Sequence, residues 1–168
     1  MKILSQARGI GMPSELLENI YERHANMLYK LCMSYMKNPA EAEDAVADVF
    51  VKLLEKSVEF KNSEHEKAWL LRTAVNLCKD RLKHWWRRRE DIDDYSHLAS
   101  GKDYFSEDDT LRAVLDLPVR LKADVYLHYY EGYTTAEIAK LLNKPQSTVL
   151  SHLREARIIL REALKLEE

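Results

Sequence analysis

The segment Gly132-Tyr133-Thr134-Thr135-Ala136-Glu137-Ile138-Ala139, followed by Leu141-Leu142-Asn143-Lys144-Pro145-Gln146-Ser147-Thr148-Val149, constrains the fold more than any other. It predicts two short helices joined by a tight turn. Thr134 and Glu137 have capping-box spacing, in which a hydroxyl serves a free amide at the helix start and a carboxylate reaches back. Asn143 is a residue that takes the left-handed conformation ending a helix, and Pro145 suits the first turn of the next one. Ile138, Ala139, Leu142, Val149 and Leu153 are expected to pack the two helices together. Gln146, Ser147, Leu150, Ser151, Arg154 and Arg157 are then left for a DNA groove. An ordinary αα-hairpin inside a helical core satisfies the same pattern.

With 46% hydrophobic and 32% charged residues, and only four Gly and four Pro, the chain reads as a mostly helical, soluble protein. No apolar run reaches the length of a membrane span. The first residues lack the apolar stretch of a secretory signal. Cys32 and Cys78 both fall on apolar helical faces, which favours thiols in a reducing compartment over a disulfide. A cytoplasmic protein without membrane insertion is the expectation.

The net charge of −2 conceals a segregation. Between Arg72 and Arg89, Arg72, Lys79, Arg81, Lys83, Arg87, Arg88 and Arg89 are opposed by Asp80 alone. Between Glu90 and Asp109 the balance reverses, with Lys102 the single cation among eight acids. A basic block of this kind attracts phosphate locally even in a weakly acidic protein. Over the acidic block the apolar periodicity fades, and Ser96, Ser100, Gly101 and Asp103 break any helix. We therefore expect an unassigned segment 1–13, a helical unit over 14–89, an acidic, flexible linker over 90–108 and a second helical unit over 109–168.

Three helical stretches compose the first unit. Leu16, Ile20, Met27, Leu28, Leu31 and Tyr35 form one apolar face, ending by Asn38-Pro39. The second stretch opens on Asn38 as cap and buries Ala42, Ala45, Val46, Val49, Phe50 and Leu53. Its other face carries Glu41, Asp44, Asp48 and Glu55. Glu41 suits the helix dipole, whereas Asp48 lies too far in for that explanation. Asp48 is thus the better candidate for a basic partner, although a solvated acidic face has the same pattern. In the third stretch, Leu70, Ala74, Leu77, Cys78 and Trp85 are expected inside. Trp69, Arg72, Asn76, Lys79, Lys83 and Arg87 then line the opposite face. Cations for phosphate, an amide for a base edge and a ring for an unstacked base are what nucleic acid asks for. A solvated basic face with Trp69 in the core fits equally well. The preceding loop, with Phe60, Lys61 and Asn62, has the composition of a small base-accepting pocket.

Taken in order, these parts resemble the extracytoplasmic-function branch of the bacterial sigma-70 family, the promoter-recognition subunits of RNA polymerase. Asn38-Pro39-Ala40-Glu41-Ala42-Glu43-Asp44-Ala45-Val46-Ala47-Asp48-Val49-Phe50 is similar to the family's polymerase-binding helix. Glu64 through Asp80 resembles its −10-element helix. Leu117-Pro118, Tyr130-Glu131-Gly132 and Ser147 through Arg157 resemble its −35-element reader. The likeness runs from about Ser14 to Leu164. It implies an all-α protein of two small helical domains, region 2-like and region 4-like, without catalysis. Glu41, Asp44 and Asp48 would meet the polymerase β′ clamp. Phe60, Lys61, Asn62, Trp69, Arg72, Asn76, Lys79 and Lys83 would hold the melted −10 element. Thr134, Gln146, Ser147, Thr148, Leu150, Ser151, Arg154 and Arg157 would read the −35 element, with the apolar side of that unit on the β flap. The resemblance also implies an anti-sigma partner and a linker along the path of template and RNA. Four positions depart from the pattern: Ala47 for a common Gln, Ser147 for Gly, His152 for Arg and Glu155 for a basic residue. Fewer cations on the recognition helix imply weaker phosphate contacts.

A conventional helix-turn-helix regulator binding duplex DNA alone, a polymerase-binding protein without promoter specificity, and a helical adaptor are the other classes. An enzyme has little support, because the histidines show no paired metal-ligand spacing and no Gly-rich phosphate loop is present. No cofactor and no metal are expected.

Overall fold

The computed structural model describes residues 12–89 and 109–165; the linker expected over 90–108 and most of the segment 1–13 lie outside the described residues. The fold is all-α and divides into two compact units, Met1–Trp85 and Trp86–Glu168.

In the first unit, α1 (Ser14–Met36) stops where Lys37 enters the left-handed region (φ 56°) and its N–H returns to the Met33 carbonyl at 2.9 Å. Asn38 then caps α2 (Pro39–Lys56): its side-chain oxygen accepts from the Glu41 N–H at 3.1 Å, and Pro39 supplies the first helical residue. Helix and cap are where the sequence placed them, because both signals are local. A left-handed Ser57 ends α2, and Asn62 caps α3 (Ser63–Arg89) by accepting from the His65 N–H at 2.8 Å.

Helices α1 and α2 pack face to face, with the rings of Tyr21 and Phe50 tilted 5.1 Å apart across the seam. Leu17, Ile20, Leu28, Leu31 and Tyr35 of α1 meet Ala42, Ala45, Val49, Phe50 and Leu53 of α2 in the core. Two expectations shift. Leu16 is 45% exposed and Leu17 takes the inner place. On α3 the buried set is Leu70, Leu71, Ala74, Val75 and Cys78, while Leu77 and Trp85 are half-buried. A helix lying against two neighbours buries a seam wider than one column, and adjacent residues such as Leu70 and Leu71 both turn inward. Cys32 and Cys78 are buried thiols.

The second unit holds α4 (Asp109–Leu115), α5 (Val119–Val125), a π-helical turn (Tyr126–Tyr130), α6 (Thr135–Leu142) and α7 (Gln146–Lys165). Helices α4, α5 and α6 each pack on α7. The core combines Val114, Leu121, Val125, Leu127, Ile138, Leu141, Val149, Leu153 and Ala156. Leu141 rather than Leu142 is buried, and Ala139 is half-buried. Lys122 is buried too; its ammonium donates to the Leu115 carbonyl at 3.0 Å, meeting an acceptor left open at the end of α4. In the π-turn the Glu131 N–H reaches the Tyr126 carbonyl at 3.3 Å, and the Tyr126 and Tyr130 rings stack at 5.3 Å. Gly132 (φ 72°) makes the bend into α6 that a side chain would strain.

The seam on α3 gives a direct test. Leu71→Ala should cost about 2–5 kcal/mol in urea unfolding, whereas Leu16→Ala should stay within about 0.5 kcal/mol.

Candidate nucleic-acid and partner interfaces

On the first unit the acidic face of α2 and the far face of α3 are both built by helical spacing. Glu41 and Asp44 are exposed, and Asp48 keeps 47% of its side chain accessible. These carboxylates are not isolated. Arg81 of α3 donates to Asp48 and, at 3.4 Å, to Glu41. Burial of Arg81 opposes its charge, but the hydrogen bond to Asp48 and the charges of Asp48, Glu41 and Asp44 outweigh it and raise the guanidinium above its ordinary value. Asp48 therefore has a structural partner that the sequence reading did not give it. The signal was present: Arg81 continues the column of Ala74, Leu77, Cys78 and Trp85 at helical spacing. A cation on the seam of a helix needs an acid on its neighbour.

The opposite face of α3 carries Arg72, Asn76, Lys83 and Arg87 exposed, with Lys79 and Trp69 half-buried. Trp69 is neither a core residue nor a free platform. The Phe60 ring stands edge-on to it at 5.9 Å and to His65 at 5.5 Å. Lys61 donates its backbone N–H to His65 Nδ1 at 3.2 Å. Asn62 is occupied as the cap of α3. The loop before α3 is thus pinned to the first turn of that helix, with one aromatic group shared between them. At the start of α3, Glu66 is buried and accepts from His24 Nε2 at 2.8 Å and Arg23 at 3.1 Å, tying α3 to α1.

On the second unit the capping box of α6 is complete. Thr134 Oγ1 accepts from the Glu137 N–H at 3.2 Å, and Glu137 accepts from the Thr134 N–H at 2.9 Å. Asn143 is left-handed (φ 53°), and the Lys144 N–H closes on the Ala139 carbonyl at 3.0 Å. Pro145 stands just before α7, with its carbonyl receiving the Thr148 N–H at 3.1 Å. Ser147, Ser151 and Arg154 are exposed, Leu150 is half-exposed and Thr148 half-buried. Gln146 donates to Thr135 Oγ1 at 2.9 Å, bridging the turn. Arg157 Nε donates to the Tyr129 hydroxyl at 2.7 Å, so a residue of the π-turn orients it. Arg161 and Lys165, absent from the sequence reading, extend Arg154 and Arg157 at spacings of three and four and are exposed.

His152 and Glu155 turn towards α5. His152 Nδ1 lies 2.6 Å from Asp124 Oδ2, and the same oxygen accepts from Lys144 Nζ at 2.7 Å. Arg120 grips Glu155 through both guanidinium nitrogens, one of them at 2.6 Å. That bond holds the Glu155 carboxyl below its ordinary value and the guanidinium of Arg120 above its own. Among the described residues no helix is long and apolar enough to cross a membrane, and no cluster of His, Cys, Asp and Glu is arranged to hold a metal.

The match of this arrangement to known proteins is direct. Residues 20–89 match the family model "Sigma-70 region 2", and residues 108–160 match "Sigma-70, region 4". The chain is 30% identical over 158 residues to the RNA polymerase sigma factor SigV of Bacillus subtilis, covering 91% of this chain and 93% of that protein. It is 27% identical over 151 residues to the ECF RNA polymerase sigma factor SigM of Mycobacterium tuberculosis, covering 88% and 76%. Its fold matches the sigma factor RpoE of Bartonella quintana, solved in complex with the anti-sigma factor NepR, with a TM-score of 0.69 over 90% of this chain and 98% of that one at 21% identity. The chain belongs to the sigma-70 family of RNA polymerase sigma factors, in the extracytoplasmic-function branch. It is a non-catalytic promoter-recognition subunit.

Because Glu155 is stabilised as a carboxylate, its contribution to the fold is present above the ordinary glutamate range and lost only as the pH falls through its lowered value. Arg120→Ala should return the Glu155 titration, followed by carboxyl-carbon NMR, upward to that range.

Proposed function

We propose that this sigma factor docks on core polymerase through the acidic face of α2, holds the −10 element on the far face of α3, and reads the −35 element with α7. The observation that carries this reading is the segregation of chemistry within each unit. Glu41, Asp44 and Asp48 present three carboxylates on α2 against the single guanidinium of Arg81, while Arg72, Asn76, Lys79 and Lys83 present cations and an amide on the other side of α3. A basic clamp and a polyanionic strand can thus be engaged by one small unit without competing for the same side chains.

Phe60 and Trp69, already edge-on to each other, suit a role as one wall for an unstacked base, with Lys61 beside the adjoining phosphate. Asn62 contributes by fixing that loop to α3 rather than by contact. On the second unit Ser147, Leu150, Ser151 and Arg154 suit base edges, whereas Arg157, Arg161 and Lys165 suit phosphate. Thr134, Gln146 and Thr148 support the turn that presents α7. The apolar side of the unit would meet the β flap. The relative from Bartonella quintana binds an anti-sigma protein, and an anti-sigma partner covering these same faces is part of the proposal. The segments 14–89 and 109–168 would act as the two functional domains, joined by the acidic 90–108.

Run-off transcription from a promoter library with purified core polymerase tests the whole reading. Transcripts appearing only with this protein, from start sites sharing two spaced elements, are expected; tight binding to duplex DNA without polymerase and no transcripts would make it an independent regulator. Asp48→Asn should weaken core binding about 10-fold or more, the worth of a charged hydrogen bond, with an unchanged circular dichroism spectrum. Asn76→Ala should slow opening of a duplex promoter but not of one already mismatched at −10; equal loss on both would remove Asn76 from that role.

A further inference from the structure

His152 and Glu155 lie one turn apart on α7 and both pair with α5. Their partners, Asp124 and Arg120, lie one turn apart on α5. We infer that Arg120–Glu155 and Asp124–His152 are two rungs of a ladder by which α5 sets the rotation of α7, making these four side chains positioning residues for promoter reading. The inference rests on the reading of α7 as the −35 helix.

The Asp124 rung is the more telling. Its carboxylate is completely buried, beside Leu121, Ala123 and Val125, which are buried as well. Its Oδ2 takes both Lys144, from the turn, and His152, from α7, whereas its Oδ1 has no hydrogen-bond partner among the described residues. An apolar residue in such a place commonly gives equal or greater stability, because a buried charge must first be stripped of water. What an apolar residue lacks is direction. A carboxylate that must receive Lys144 and His152 together admits one placement of the turn relative to α7, and greasy contacts admit several.

The second rung acts at the rim. Arg120 and Glu155 are about half exposed, so the pair adds little cohesion. Its two parallel bonds nevertheless fix the angle of the Glu155 side chain. With positions 152 and 155 held towards α5, Ser151, Arg154 and Leu150 are left outward. Rotating α7 by one residue would exchange these sets, and the base-reading face would be lost without unfolding anything.

The experiment uses full-length protein bound to core polymerase, with promoter DNA carrying either the intact or a scrambled −35 element. The double variant D124L/H152L replaces the buried rung by apolar volume. Lys144 loses its acceptor but keeps partial access to water, so the variant should stay folded with a cooperative melt, yet its preference for the intact element should fall about tenfold, the worth of one base contact. The salt slope of binding should stay unchanged, because no phosphate contact is removed. For the rim rung, E155R alone should reduce the preference and R120E/E155R should restore it. A preference retained in D124L/H152L, or an exchanged pair no better than E155R, would overturn the ladder. A salt slope shallower by about 0.9 in D124L/H152L would instead make His152 a phosphate contact and overturn it equally. If the wild type itself does not distinguish the two DNAs, the −35 reading of α7 fails first and takes the ladder with it.

Discussion

A helical unit of fewer than ninety residues has a core only one side-chain layer thick, and that geometry governs everything else in this protein. Each helix has a single seam to place inside, so every other face is exposed and must be polar. In α2 the seam is Ala42, Ala45, Val46, Val49, Phe50, Leu53 and Leu54, and the polar residues left outside it are five acids and two lysines. In α3 the seam runs through Leu70, Leu71, Ala74, Val75 and Cys78, and the face opposite it carries Arg72, Asn76, Lys83 and Arg87. The faces proposed for polymerase and promoter are thus faces the core does not use.

A thin core also brings charges at the edges of one seam within reach of the next helix. Arg81 meets Asp48 and Glu41 across α3 and α2; Glu66 meets His24 and Arg23 across α3 and α1; Asp124 meets Lys144 and His152. The half-exposed Arg81 pairs contribute about 0–1 kcal/mol each, and the buried carboxylates of Glu66 and Asp124 offset much of their attraction by desolvation, so apolar seams supply most of the cohesion. The pairs act on geometry instead. They fix which way a helix is rotated, and for α2 they set the starting state of any docking event. In the proposed docking, Arg81 would have to share or surrender Asp48, which moderates the attraction a bare triple of carboxylates exerts on any cation.

Local signals made most of this legible in the sequence. Caps at Asn38 and Thr134, the left-handed stop at Asn143 and the prolines at 39 and 145 each depend on a few neighbouring residues, and each is found as expected. Rotations of helices were less legible. Leu16 and Leu77 were assigned to cores where Leu17 and Leu71 lie, because periodicity gives a face only to within about one residue and tertiary packing chooses within it. Least legible were the cross-helix partners. A spacing of three or four places Arg81 on the seam, but which acid answers it depends on the register of α3 against α2. Asp124 and Lys122 both stand in the segment from Leu121 to Leu127, whose mixed sequence does not make its burial legible and names neither Lys144 nor His152 as a partner.

His152 and Glu155 on α7 illustrate why a side chain's direction matters more than its type. By count, a histidine and a carboxylate interrupt the cations of that helix. In space, both side chains turn to α5 and their charges are engaged there. Arg154, Arg157, Arg161 and Lys165 form an exposed basic column at spacings of three and four. Glu155 is paired with Arg120, so in the proposed reading it would repel a duplex less than a free carboxylate. These two residues would then subtract little from sequence-independent attraction, which follows the number of phosphates met. On the same proposal their effect falls on orientation, which would decide whether Ser147, Leu150, Ser151 and Arg154 reach base edges or miss them.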